Sequence, residues 1–540
     1  MWSRASRSRS PLEYHRGLLT TRRTVRAANG LVASGHHLAT SAGLAALREG
    51  GNAADAAIAA AAVCAVVMPH RSAIGGDMFA LFYDARSREV TAYNGSGAAP
   101  HALDPESFGT EFPRQGATIA TVPGLVAGLA DLLADHGRLG LDRALAPAIG
   151  YAENGFPVSD VLAEAIAEEG DRIAQDEEAA QIFGPRGRWP GAGEMLQQRD
   201  LAVTLQALAR DGADAFYRGD VGERFATAIA GIGGAIDRAD LAAHRTDRPE
   251  PLSINYRGLR LFGQPPVSQG HILLEELAIV EGIDVRSFEW GSAELIHLMV
   301  ETKKLAFADR DAHAGDPARV DFDARRLLDV EFVATRRRAV NAKASERSEA
   351  GSLMTPADTT YLAVVDRDGN AVSLIESVFS AFGAATVVPG TGILLNNRLS
   401  GFSLDPRSPN ALAPGKRPVH TLNTVIALEG SMPRFVFGTP GRHAQVQTNF
   451  QLAVGLIDFG MDVQQAIEEP RWYHDSGRTL KMERRYPEAV RRAMAAKGHE
   501  VAVLGDWDEI TGGAQAIAID PNGSFAGGAD PRREGQAAGY

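Results

Sequence analysis

The sequence predicts a mixed α+β fold, and three observations carry that prediction. The runs Thr360–Val365 and Ala371–Ile375 are β-branched and apolar, and Asp366-Arg367-Asp368-Gly369-Asn370 between them is a turn signal, so the stretch reads as a β-hairpin. The run Ala53–Val63 is almost wholly small and apolar, as in a helix packed closely on a sheet. Residues 116–350 carry mainly helical patterns. With 540 residues and 45% apolar content, the chain can build a large core, as one two-layered body or more.

Composition excludes several function classes. The net charge is −12, which disfavours a nucleic-acid backbone as partner. The single cysteine, Cys64, excludes an intrachain disulfide and a cysteine metal cluster, and its apolar neighbours mark it as a core residue. Met1–Ser10 is rich in Arg and Ser without an apolar run, and no long apolar core follows Arg22-Arg23, so neither a secretory nor a twin-arginine signal is read. No run is long enough to span a membrane. The expectation is a cytoplasmic enzyme with a flexible basic tail over residues 1–29.

In chain order, Asn52 is a helix N-cap and Asp55 suits its first turn. Gly75-Gly76 precedes the strand Met78–Tyr83, with Val90–Asn94 as partner. Lacking phosphate-loop spacing, the glycine pair reads as a tight turn beside a pocket. Val122-Pro123-Gly124 starts a helix after a strand. Leu141–Glu153, Val161–Ala174, Leu201–Arg210, Leu273–Glu281 and Glu294–Arg310 read as helices. The last carries His297, Glu301 and Asp309 without an H-E-x-x-H pattern, so no metal site is expected there. Asn341–Pro356 is polar and reads as a flexible linker. Val388–Asn397 reads as a turn then a strand, Phe402–Pro418 as a loop, and Phe435–Gly438 as a strand. That strand enters the turn Thr439-Pro440-Gly441-Arg442 ahead of a helix over His443–Ile457, whose N-terminal N–H groups could hold an oxyanion. A three-residue hairpin loop with left-handed Gly369 places Thr359 opposite Ser377; a two-residue Asp368-Gly369 turn would shift the register by one.

These stretches together resemble the gamma-glutamyltransferase family from about Gly30 to the C-terminus. The resemblance rests on Gly50-Gly51-Asn52-Ala53, Pro69–Gly76, Val122-Pro123-Gly124, Phe216–Gly219, Ala308-Asp309-Arg310, Asp358-Thr359-Thr360, Asp368–Val372, Gly392–Asn397, Lys416-Arg417-Pro418, Thr439-Pro440-Gly441 and Asp530-Pro531-Arg532. It implies a four-layer αββα sandwich of the N-terminal-nucleophile hydrolase type, and a precursor that cuts itself between Asp358 and Thr359. It implies a large subunit over 30–358, with a helical region at 125–340, and a small subunit over 359–540 led by the nucleophile Thr359. Ser377 would orient that hydroxyl, with Gly441 and Arg442 as oxyanion donors. The chemistry agrees: a Thr hydroxyl is a weak nucleophile, and cleavage frees an α-amine with a pKa near ~8 to act as its base.

The departures bear on substrate. The family's gamma-glutamyl enzymes hold the donor carboxylate with an Arg, where this chain has Ser96. They hold its amino group with an acid, where this chain has Gly401 in Asn396-Asn397-Arg398-Leu399-Ser400-Gly401. Phe379 replaces an Asn, His420-Thr421 a Ser-Ser pair, and Arg442 a Gly. The nucleophile remains while the amino-acid clamp does not. The expectation is an amidohydrolase for a small carboxylate-bearing amide, similar to the oxamate amidohydrolase-like branch, with Arg398, Arg442 and His420 as candidate anion holders. A true gamma-glutamyltransferase or glutathione hydrolase with a rebuilt donor site is the alternative, and a non-enzymatic scaffold a second. No cofactor, metal, nucleic acid or membrane partner is expected. The partners are the substrate and the chain's own second fragment, with a dimer of these heterodimers a further option.

Overall fold

The computed structural model describes residues 20–346 and 357–540. Its elements in chain order are β1 (Val25–Ala27), β2 (Gly30–Ser34), α1 (His37–Arg48), α2 (Ala53–Val67), β3 (Asp77–Asp84) and β4 (Glu89–Gly95). A helical excursion from Leu125 to Ala243 follows, then β5 (Leu252–Tyr256), β6 (Leu259–Gly263), α3 (Gly270–Glu281) and α4 (Ala293–His313). The remainder includes β7 (Ala357–Asp366), β8 (Ala371–Ser380), β9 (Val425–Glu429), β10 (Met432–Gly438), α5 (Ala444–Ala453), β11 (Gln515–Ile519), β12 (Phe525–Ala529) and β13 (Gln536–Gly539).

Two antiparallel sheets stack face to face. One has six strands in the order β13-β2-β7-β8-β3-β4, the other seven in the order β1-β12-β11-β10-β9-β6-β5. Alternation along the hairpin strands builds the layers. Leu362 and Val364 of β7, with Val372 and Leu374 of β8, face the helix layer of α1 and α2. Tyr361, Ala363, Val365 and Ile375 face the second sheet, meeting Phe262, Ile426, Val436 and Ile517. The far side of that sheet, through Leu261, Ala427, Phe437 and Ala516, packs on α3, α4 and α5. This is the αββα sandwich that the resemblance implies.

The Ala-rich α2 is buried along its whole length, which its small side chains permit. Asn52 and Asp55 form a reciprocal cap at its start. The first N–H of α2, at Ala53, donates to Asp366 Oδ2 at 2.9 Å, tying the helix to the hairpin turn. Cys64 is buried within α2.

Several expectations change. Residues 20–29 are not all tail: β1 pairs with β12, and the Thr21 hydroxyl bonds Glu468. Residues 1–19 of the tail and 347–356 of the linker lie outside the described residues. The helical region at 125–340 contains the β5–β6 hairpin, which turns at Arg257-Gly258 with φ of 52° and 85°. Alternating Leu252, Ile254 and Tyr256, then Leu259 and Leu261, carry that signal. Ahead of Val122, residues Ala117–Ile119 form a short 3₁₀ turn rather than a strand. The helix read over Val161–Ala174 breaks at Glu169 into Asp160–Glu168 and Gly170–Ile173. Gly75 and Gly76 close a turn, with Gly76 N–H on the Ala73 carbonyl at 2.9 Å, and also serve close approach: a Cβ at Gly75 would lie 2.1 Å from the Leu394 carbonyl oxygen, and one at Gly76 2.5 Å from that of Ser377. Among the described residues, no helix is long and apolar enough to cross a membrane.

Candidate active site

The hairpin register follows the three-residue loop. Asp366 N–H bonds the Asn370 carbonyl at 3.1 Å, and Gly369 is left-handed at φ 90°. Pairing runs from Val365–Ala371 to Thr360–Glu376, then shifts at a bulge before Asp358–Phe379. The bulge sits where the sequence reading puts the two hydroxyls. Thr359 Oγ1 donates to Ser377 Oγ at 3.2 Å, and Phe379 N–H donates to the same oxygen at 2.8 Å. Phe379 is left-handed at φ 82°, an uncommon conformation for a bulky residue, and its N–H bond to Ser377 belongs to that local geometry.

On the other side of β8, Ser377 pairs with Asp77, the first residue of β3. Thr359, Ser377 and Asp77 therefore form a row across three neighbouring strands, on the face turned to the second sheet. Strand spacing puts the ends of the row about 10 Å apart. Asp77 is fully buried; its Oδ1 accepts from Gly97 N–H at 2.9 Å and its Oδ2 from Arg398 Nε at 3.0 Å. The Arg398 side chain is fully buried too, and its Cζ lies 4.8 Å from the centre of the Phe379 ring. Its two terminal nitrogens have no hydrogen-bond partner among the described residues. The backbone that carries it is pinned: Asn396 Oδ1 accepts from Arg398 N–H at 3.0 Å, and Asn397 Oδ1 accepts from Ser380 N–H at 3.0 Å.

His420 stands beside this fork, its ring edge-on to Phe79 of β3 at 5.0 Å. It is fully buried, and neither ring nitrogen has a partner among the described residues. Burial, then the charges of Arg398 and Arg417, hold its pKa well below the usual histidine range, so the ring is neutral. Thr421 beside it is half-buried. Behind the row, Glu376 turns away with Thr360 toward α2; it is fully buried, and burial pushes its carboxyl well above the usual range.

Two positions expected to bind substrate stand differently. Ser96 is buried, and its hydroxyl is spent on Asn94 Oδ1 at 2.6 Å. Gly401 offers no side chain, and a Cβ there would lie 3.9 Å from Arg398 Cδ. The turn after β10 reaches this region through Gly438, where a Cβ would fall 2.3 Å from the Tyr361 ring, two residues from Thr359. Gly441 and Arg442 follow at φ 127° and 54°, and α5 starts beyond them. Asp77 is the residue that sequence reading missed. Nothing local marks it, because its partner Arg398 lies 321 positions away.

Known proteins resemble the chain over nearly its whole length. The family model described as Gamma-glutamyltranspeptidase matches residues 39–540. The chain is 40% identical over 521 residues to the Glutathione hydrolase-like YwrD proenzyme of Bacillus subtilis, covering 94% of this chain and 98% of that protein. It is 39% identical over 525 residues to the Oxamate amidohydrolase proenzyme of Klebsiella pneumoniae, covering 95% and 98%. Among solved structures, a cephalosporin acylase from Bacillus halodurans superposes with a TM-score of 0.90 at 36% identity, covering 97% of this chain and 98% of that one.

Proposed function

The chain belongs to the gamma-glutamyltranspeptidase family, and from that premise we propose that it is a self-processing amidohydrolase with Thr359 as nucleophile and a small carboxylate-bearing amide as substrate. In the precursor, Thr359 Oγ attacks the Asp358 carbonyl carbon. The peptide C–N bond breaks, an ester forms, and water opens it to leave Asp358 with a carboxylate and Thr359 with a free α-amine. That amine then takes the hydroxyl proton while Oγ attacks the substrate carbonyl. N–H groups at Gly441 and Arg442 hold the oxyanion. Collapse expels the amine, which takes the proton from the Thr359 ammonium, and water hydrolyses the acyl ester. Ser377, in contact with Thr359 Oγ1, keeps the hydroxyl aimed.

The observation that carries the substrate reading is the Arg398 fork. Its Nε is committed to Asp77 at the far end of the strand row of Thr359, and its terminal nitrogens have no partner among the described residues. A carboxylate accepts such a fork in two parallel bonds, and neutral His420 can add a third N–H donor. The span of about 10 Å across the row favours a short substrate. A gamma-glutamyl donor also brings an ammonium group, for which Gly401 supplies no acid.

Intact mass and turnover of wild type and Thr359→Ala test the proposal together. Wild type should separate into fragments meeting at 358/359, and the variant should stay one chain without activity. Equal processing of both proteins contradicts the assignment of Thr359.

A further inference from the structure

A second cluster of chemistry-bearing side chains is buried outside the Thr359 row. His297 and Glu301 lie one turn apart on α4, and His499 comes from 202 residues further along than His297. The three are 5%, 2% and 3% exposed, and one ligand atom from each lies within 4.8 Å of the other two.

The hydrogen bonds assign the protons. His297 Nε2 faces the Asn341 carbonyl oxygen at 2.9 Å, so it carries the hydrogen and leaves Nδ1 a lone pair. His499 Nε2 points at that lone pair from 2.8 Å, and His499 Nδ1 meets no partner among the described residues. Glu301 is steadied by Lys304 Nζ on Oε1 at 2.9 Å and by Ser345 N–H on Oε2 at 3.2 Å.

We propose that His297 Nδ1, His499 Nε2 and Glu301 Oε2 bind one zinc ion. Two imidazoles and a carboxylate are a zinc donor set with a fourth position left for water. The supports that such ligands need are in place, with a carbonyl on the far nitrogen of His297 and an ammonium and an N–H on the carboxylate. Binding needs the His499 proton to move from Nε2 to the open Nδ1, with no net proton lost. It also needs the two nitrogens to part from 2.8 Å to about 3.3 Å, the separation set by zinc–nitrogen bonds near ~2.0 Å in a tetrahedron. Glu301 and His297 precede the Asp358–Thr359 junction and His499 follows it, so the ion would clasp the two fragments. That role rests on the cleavage proposed above; the binding does not.

The test is calorimetric titration of chelator-stripped full-length protein with zinc chloride, with cobalt(II) as a spectroscopic substitute. Wild type should take up one ion per chain, and cobalt should give the visible bands of a tetrahedral site with imidazole ligands. His499→Gln should bind at least tenfold more weakly, while His37→Gln, at an exposed ring, should match wild type. Absence of zinc uptake by wild type, or equal affinity in wild type and His499→Gln, overturns the site. Should His499→Gln fail to fold, the wild-type cobalt spectrum decides, and an octahedral all-oxygen spectrum overturns it.

Discussion

The proposed anion-binding role of Arg398 rests on what its side chain leaves unbonded. Asp77 fixes one edge of the guanidinium and Phe379 lies against its face, leaving the fork open. A hydrogen bond to a charged group is worth about 1.5–3 kcal/mol, so Arg398→Ala should raise KM for an acidic amide roughly 10- to 100-fold. Its neutral carboxamide analogue should change within about threefold, the range of an uncharged contact of ~0.5 kcal/mol. Gly401→Asp should act similarly, because a carboxylate placed beside Arg398 Cδ can occupy the fork; titrating both amides against that variant checks it. The sign of the pH dependence follows from the amine base. It must be deprotonated to work, so kcat/KM should rise with pH through a value near ~8. His420 is held neutral well below that range, so His420→Gln should leave the midpoint of that limb in place in a pH–rate profile. Arg398 was legible as a candidate from its position in the Asn396–Gly401 run. Its partner Asp77 was not, and neither was the loss of the Ser96 hydroxyl to Asn94, because these depend on contacts rather than on local pattern.

The β7–β8 hairpin was the most legible element because its information is local: alternating apolar residues and a turn built around Gly369 fix the register over a few residues. The bulge after Glu376 was not legible, since nothing in Glu376-Ser377-Val378-Phe379 announces it. Its neighbour on the β3 side is Gly76, where close backbone contact leaves no room for a side chain. Gly76→Ala should therefore push on the Ser377 carbonyl, costing about 1–3 kcal/mol as other overpacking changes do. A denaturant midpoint measures that cost. The same variant should lose turnover beyond its loss of stability, because displaced Ser377 hydrogen-bonds the Thr359 hydroxyl from the neighbouring strand; kcat of the folded fraction checks this. The β5–β6 hairpin went unread inside a helical stretch, although its alternation is plain once Arg257-Gly258 is taken as a turn.

At the scale of the molecule, two stacked sheets bring parts of the chain together that are hundreds of residues apart. The class of fold was readable because strand alternation and the Ala-rich α2 already separate the helix-facing sides from the sheet-facing ones. The long-range pairings Asp77–Arg398 and His297–His499 exist only in the folded object. In the proposed function that assembly sets selectivity: the Arg398 fork is held by Asp77, two strands of about 5 Å spacing from Thr359, and position 401 carries no acid for an ammonium group. The proposed substrate class is decided by the kcat/KM of processed wild-type protein for a short carboxylate-bearing amide and for glutathione, assayed side by side. The acidic amide should be preferred by about tenfold or more, the worth of one charge-assisted contact; a value for glutathione far above that of every acidic amide overturns the proposed specificity.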